Sequence, residues 1–365
     1  MSTGSHNRIL IGQIPHDVLS SIVLATQPSF DLACAGPTDD VLRDVQTCKD
    51  PIRFSQVSRH WRQGILADAS LWAKFVLVFG RHNRRIESAM TFLDEWLKRS
   101  RGCPLCFAVG FSGKPDAREV AAAAEGLLVH ISRWQKATLI GIPPSTGLVI
   151  ISKMREVMNV NHMTDLCVVL SRLMPADGSN GYPTPGIPNV HKPFVRLHRL
   201  RNLTFHWSDP TTFSPFLDCL IVTKLKQLHL KGHLVYSVFL FSDLESLLRR
   251  SKPPLELLKM ELPVPLPRCD NILPCLRLLP RLVDLELPPC LISQQILEAF
   301  ARTPYLCPSL SAVEISSCDM QEVVKLAQFV HMRRIRGYRG GEMASLSCGR
   351  NQLRLLRDIT TGVDS

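Results

Sequence analysis

Cys103-Pro104-Leu105-Cys106 sets two thiols three residues apart, the spacing at which a pair of cysteines can share one metal ion. A closed site needs two further ligands. No second C-x-x-C occurs and no H-x-x-x-H stands near this one, so the pair is expected to be two buried free thiols of a strand. Cys34, Cys48, Cys269 and Cys275 have no regular spacing. Gly110-Phe111-Ser112-Gly113-Lys114 has the glycines and lysine of a phosphate loop, but it lacks the four-residue gap and the Ser or Thr that opens the following helix. H-E-x-x-H, G-x-G-x-x-G and G-x-S-x-G are all missing, which leaves metalloprotease, dehydrogenase and hydrolase chemistry without a motif. His206 with Trp207, and His229 with His233, are the remaining groups that could build a polar site; single histidines more often sit satisfied in a core or on a surface. No metal or cofactor is expected.

Charge is the other resource. The 365 residues carry 43 Lys and Arg against 32 Asp and Glu, a net +11, gathered in short clusters. Arg81, Arg84 and Arg85, then Lys98, Arg99 and Arg101, then Arg249, Arg250 and Lys252 are three of them. The densest lies near the C-terminus: Arg333, Arg334, Arg336 and Arg339, followed by Arg350, Arg354 and Arg357. Such groups attract phosphates, acidic peptides or nucleic acid, or else form a solvated face whose cations complement helix C-termini. The first four are the candidate target-binding residues.

Charged residues interrupt every apolar run well short of the roughly 20 residues a membrane span needs. The first residues, MSTGSHNRILIG, hold one Arg and no long apolar stretch, so neither a secretory signal nor a transit peptide is expected. Cytoplasm or nucleus is the expected compartment, where the 12 cysteines would be reduced.

Two short helices come first. Ile14-Pro15 opens one, with Asp17 in its first turn and Val18, Leu19 and Ile22 as its apolar stripe. Asp50-Pro51 opens the other, in which Phe54, Val57, Trp61 and Ile65 follow at steps of three, four and four, helical spacing that predicts one shared face. A pair below about 40 residues cannot fill a core, so part of this apolar surface is expected to belong to a partner. The same stripe would equally suit the interior of a larger helical domain.

The order Ile14-Pro15-x-x-Val18-Leu19-x-x-Ile22, then Ser55-Gln56-Val57-Ser58-Arg59-x-Trp61-Arg62, then Ser70-Leu71-Trp72 resembles the F-box in the form common among mushroom-type fungi. Residues from about 28 to 49 look like an insertion relative to a compact F-box, and Ser58 stands where that version often has Cys. The resemblance implies docking onto the Skp adaptor, and through it onto cullin. Its implied contacts are Ile14, Pro15, Val18, Leu19, Ile22, Val57, Trp61, Ile65, Leu71 and Trp72.

Beyond Trp72, Phe75–Phe79 and Leu105–Phe111 predict strands. Between them a helix runs from Asn83, with Ile86, Met90, Leu93 and Leu97 inward and Gly102 as its stop. Asp116 caps another, with Val120, Leu127 and Ile131 inward.

The chain then repeats L-x-x-L-x-L, beginning at Leu200, Leu225, Leu255, Leu282 and Leu310, with starts 25, 30, 27 and 28 residues apart. Weaker copies begin at Trp134 and Met163. Alternation along a strand points Leu203 and Phe205 and their equivalents inward, and Thr204, His229, Lys259, Glu286 and Glu314 outward. Helical returns are expected after Asp243, Ser293 and Asp319, the last with Glu322 as a capping box. Gly178–Pro188 is the expected flexible excursion. The pattern resembles the leucine-rich repeat in its longer, irregular form, with Cys290 and Cys318 at its Asn-or-Cys position. A helix-and-hairpin α/β domain is the other architecture that these unequal spacings allow.

The expectation is an α/β chain: a flexible N-terminus at 1–9, an F-box-like adaptor-binding module at 10–75, and a leucine-rich-repeat-like solenoid of short parallel strands and helices at 76–365. The resemblance implies a non-catalytic substrate receptor of a Skp–cullin–F-box ubiquitin ligase, holding a target protein on its repeats. The alternative is a repeat scaffold outside any ligase that binds acidic protein or RNA through the C-terminal arginines. Under the first, neither membrane nor nucleic acid is an expected partner.

Overall fold

A computed structural model describes residues 14–27, 50–79, 86–111, 117–157, 162–170, 194–207, 210–232, 241–262, 272–288, 291, 296, 298–299, 303, 305–315 and 345–348. The expected insertion at 28–49, the excursion at 178–188, Cys290 and Cys318, the helix after Asp319, and Arg333, Arg334, Arg336 and Arg339 lie outside these residues. The fold class is α/β, built on parallel strands with intervening helices. Two compact units divide after Ile142, so the N-terminal helices share a unit with the first three strands.

In the first unit, helices α1 (His16–Thr26), α2 (Asp50–Ser55) and α3 (Arg59–Ala67) lead through a 3-10 turn, Ala69–Trp72, into β1 (Lys74–Phe79). Then come α4 (Ile86–Arg99), β2 (Leu105–Phe111), α5 (Ala117–Leu128) and β3 (Trp134–Ile142). β1 pairs with β2 and β2 with β3, both parallel. Parallel strands covered on both faces are continuous apolar runs, and here Phe75, Val76 and Leu77 are buried in succession, as are Phe107, Ala108 and Val109. Register aligns Phe75 with Phe107 and Phe79 with Phe111, and the two ring pairs stack at 5.5 and 5.0 Å. Helix α4 buries Leu93, Trp96 and Leu97. It stops at Arg99, and Arg101 rather than Gly102 takes the left-handed conformation, with φ of 47°. Ser100 and Arg133 lock that end: the guanidinium donates to Ser100 Oγ at 2.6 Å and to the Cys103 carbonyl at 3.0 Å.

The second unit begins with α6 (Pro144–Glu156) and β4 (Asp165–Leu170), followed by the two-residue β5 (Val195–Arg196), β6 (Asn202–Trp207), α7 (Pro210–Asp218) and β7 (Leu220–Ile221). It continues with β8 (Gln227–Gly232), α8 (Phe241–Ser251), β9 (Leu257–Glu261), α9 (Leu273–Arg277), β10 (Asp284–Leu287), β11 (Ala312–Ile315) and β12 (Ser345–Cys348). Its main sheet runs β4-β6-β8-β9-β10-β11-β12, and each neighbouring pair is parallel.

The repeat sets this register. Leu166, Leu203, Leu228, Leu258, Leu285 and Val313 form one row across six strands, all buried. The leucines that open the copies, Leu200, Leu225, Leu255, Leu282 and Leu310, are buried too. The residue after each opening position carries a carbonyl that accepts two backbone N–H groups from the next copy. Thr164 accepts from Arg201 and Asn202, Arg201 from Lys226 and Gln227, Lys226 from Glu256 and Leu257, Glu256 from Val283 and Asp284, and Val283 from Ser311 and Ala312. One hydrogen-bond device, repeated five times, makes copies of unequal length start their strands level with one another.

Candidate functional site

The first apolar stripe divides in two. Ile14 is half-buried and Pro15 exposed at the start of α1, which turns Leu19 and Val23 fully inward and leaves Val18 (45%) and Ile22 (37%) exposed. Leu19 and Val23 are four apart, as are Val18 and Ile22, so the helix carries two apolar faces and buries one. Helix α1 packs on α2, α3 and the 3-10 turn.

The second stripe does not form one helix. Ser58 adopts an extended backbone with φ of −157°, and its hydroxyl accepts from the Trp61 N–H at 3.1 Å, so it caps a new helix. The continuous helix expected through Phe54, Val57, Trp61 and Ile65 is therefore broken at Gln56–Ser58. Trp61 and Ile65 stay inside, and Phe54 reaches Trp61 at 5.7 Å between ring centres. Val57, in the turn, is 51% exposed.

Leu71 and Trp72 are fully buried beneath these helices. The Trp72 indole N–H donates to the Ile65 carbonyl at 2.8 Å, Trp96 meets its ring edge-on at 4.8 Å, and the Arg99 guanidinium lies 4.4 Å from its ring centre. Asp68 ties the segment together: Ser20 Oγ donates to one carboxylate oxygen at 2.5 Å, and the Ser70 N–H and Oγ–H donate to the other at 2.9 and 2.6 Å. Burial alone would raise the Asp68 pKa, but these donors outweigh it and hold the carboxyl below its ordinary value. Gly64 lets α1 approach α3, since a β-carbon there would collide with the His16 ring. That ring stacks on His60, whose Nε2–H donates to the Ile14 carbonyl at 3.0 Å.

Of the expected adaptor contacts, then, Leu19, Trp61, Ile65, Leu71 and Trp72 hold the unit together. Pro15, Val18, Ile22 and Val57 are offered to solvent. An apolar residue kept outside on a helix whose other face is already packed has no use within the unit, which makes this outer face the candidate docking surface.

The polar positions of the second sheet behave differently from expectation. Thr204 and His229 are buried rather than facing out, and His206 is buried as well. The reason lies in the neighbouring strands: parallel register puts His229 beside Lys259 and Lys231 beside Glu261. Glu261 Oε1 sits 3.1 Å from His229 Nε2 and 3.2 Å from Lys259 Nζ, its other oxygen meets Lys231, and Lys259 reaches Glu286 at 2.9 Å. Two lysines and two glutamates compensate one another, an arrangement suited to fixing register. The hydrogen bond from His229, opposed by burial and aided by Lys231 and Lys259, holds the Glu261 carboxyl far below the usual carboxylate range.

A depressed folded-state pKa contributes stability that is complete above the unfolded value, about 4.3 for Glu, and fades as pH falls through the folded value. Glu261→Gln is therefore expected to lower the urea midpoint at pH 7 and to flatten the loss of stability between about pH 5 and pH 3. An acid limb as steep as that of the wild type would show that other carboxylates govern it.

Cys103 and Cys106 are free thiols but half-buried rather than buried, and only Cys106 lies within β2. The Cys106 thiol lies 3.5 Å from Gln135 Oε1, and the Cys103 carbonyl accepts from Arg133. Burial, with Glu245 nearby, pushes the Cys275 thiol up to about 12. Among the described residues no group of three or more His, Cys, Asp or Glu is placed to hold a metal ion, and no helix is long and apolar enough to cross a membrane. Asp68, Gly64 and Glu261 went unnoticed in the sequence, and Ser58 was read only as part of a motif although it had a usable capping signal, a Ser three residues before the Trp61 whose N–H it caps. No family model matches the chain, and no curated protein matches it at a significant level.

Proposed function

We propose that the chain is a substrate receptor of a Skp–cullin–F-box type ubiquitin ligase, whose N-terminal helices dock the Skp adaptor and whose parallel repeats hold a target protein. The observation that carries it is the apolar surface that the N-terminal segment leaves outside: Val18 and Ile22 on α1 and Val57 in the turn between α2 and α3, exposed while Leu19, Ile65 and Trp72 are fully buried. In this role the receptor performs no bond chemistry itself. It raises the effective concentration of the target beside the ubiquitin-carrying subunit, so the gain comes from proximity. The repeat ladder supports the second half, because stacked short strands with helical returns present an extended surface on a stiff frame. Both parts resemble the F-box and the leucine-rich repeat in sequence.

The test uses substitutions that leave the interior untouched. Val18→Asp, Ile22→Asp and Val57→Asp combined are expected to abolish co-purification with purified Skp adaptor without lowering the melting temperature, since exposed apolar anchors contribute to binding and little to folding. Val149→Asp, at an equally exposed valine of the second unit, serves as the control and should bind as the wild type does. Wild-type protein that fails to bind the adaptor would leave the scaffold reading as the better one.

A further inference from the structure

Four copies of the repeat enter their strands through the same turn. The N–H of the opening residue donates to the carbonyl three residues earlier, Leu200 to Leu197 at 3.2 Å, Leu225 to Val222 at 3.3 Å, Leu282 to Leu279 at 3.3 Å and Leu310 to Cys307 at 3.1 Å, and the two residues between are exposed every time. The second of those two is Arg199, Lys224 and Arg281 in three of the turns. Arg201 and Lys226, just past the opening leucine, are exposed as well, and so is Lys252, three residues before Leu255. Because β6, β8, β9 and β10 are parallel neighbours with level starts, these cations share one edge of the sheet, about 4.8 Å apart from strand to strand and roughly 14 Å from first to last. Lys226 pairs with Glu256 at 2.7 Å, whereas Arg199, Arg201, Lys224, Lys252 and Arg281 make no ion pair among the described residues. The segment that feeds the first turn adds a ring. Phe194 is 49% exposed, on a stretch tied down by the Val195 N–H to the Cys219 carbonyl at 2.8 Å and by the Leu197 N–H to the Ile221 carbonyl at 2.9 Å.

We infer that this edge binds the phosphate backbone of single-stranded nucleic acid, with Phe194 stacking a base. Cations repeated at strand spacing suit a polymer that carries a charge on every residue, and each contact gains by releasing a condensed counterion. An exposed ring beside such a row supplies the stacking by which proteins hold single strands without reading their sequence. An acidic peptide accounts for the cations but not for the ring. A membrane surface would call for large apolar residues at the turn tips, where the chain has His198, Thr223 and Pro280. The inference is independent of adaptor docking, which involves residues of the other unit.

The experiment measures binding of a fluorescent single-stranded RNA oligomer to the full chain by anisotropy over a range of salt, with an oligoglutamate peptide and phosphatidylserine vesicles as competitors. The logarithm of the affinity is expected to fall against the logarithm of salt with a slope of about −3 to −4, as four to six phosphate contacts at about 0.7 each require. Arg199→Gln with Lys224→Gln should weaken binding and make the slope shallower by about 1.4. Lys98→Gln with Arg101→Gln, which removes the same charge from exposed positions of the first unit, should change neither by much. Phe194→Ala should weaken binding about tenfold and leave the slope as it was, because stacking releases no counterion. Neither Arg199, Lys224 nor Phe194 is buried, so melting temperatures should stay at the wild-type value. No binding at about 50 mM salt, or equal effects of the two double variants, would overturn the edge as a site and leave a solvated face. Displacement of the RNA by the glutamate peptide or by the vesicles at matched charge would overturn nucleic acid as its occupant, and a Phe194→Ala protein that binds as the wild type does would overturn the stacking.

Discussion

Alanine in place of Leu258 is expected to cost about 2–5 kcal/mol of unfolding free energy, among the largest effects of any single substitution in the second unit. Leu258 is fully buried and sits mid-row, with Leu228 on one side and Leu285 on the other. The cavity it would leave is bounded by two strands that the shared-carbonyl ladder holds in place, so the walls cannot collapse inward to fill it. Glu314→Ala, at an exposed position of β11, should stay within about 0.5 kcal/mol. Glu286→Ala should fall between them, because Glu286 is partly shielded and pairs with Lys259 at 2.9 Å. Urea midpoints for the three variants check the inward and outward alternation directly. Equal shifts at 258 and 314 would mean that the strand faces are assigned wrongly.

Trp72→Ala is expected to cost the first unit about 3–5 kcal/mol, and Trp72→Phe about 1–2. The difference separates two jobs of one side chain. Phenylalanine keeps most of the ring packing on Trp96 and Arg99 but leaves the Ile65 carbonyl without the indole N–H that it accepts at 2.8 Å. Alanine removes both. Thermal melts of the two variants read the difference, and a Trp72→Ala protein as stable as the wild type would remove Trp72 from the interior. The consequence for function is practical. Alanine at Leu19 or Trp61 would impair any adaptor contact by loosening the same core, and so could not distinguish docking from folding; substitutions at Val18, Ile22 and Val57 can.

Both units show how far local pattern reaches. Period-two alternation in Leu-x-x-Leu-x-Leu predicts which side chains of β6, β8, β9 and β10 go inward, and Leu203, Leu228, Leu258 and Leu285 do. Burying apolar groups on one side of a strand needs no knowledge of its neighbours. Helical spacing succeeded in the same way for Leu244, Leu247 and Leu248 of α8, all buried. It failed at Val57 because spacing alone does not register that Ser58, by capping the Trp61 N–H, restarts the helix. It failed also on α1, where Val18, Leu19 and Ile22 share one stripe in sequence yet only Leu19 is buried in the packed segment.

The sequence by itself determined the fold class and the inward leucines of the repeat strands. Those follow from interactions within a few residues of one another. Only the tertiary structure decided which of the ten proposed contact residues remain outside, that His229 is buried against Glu261 from 32 residues away, and that Arg199, Lys224 and Arg281 share one edge of the sheet. Each of these depends on the distance between successive strands and on where their starts align. That alignment is set by one backbone carbonyl per copy, a group every residue carries, and so it leaves no mark on side-chain identity.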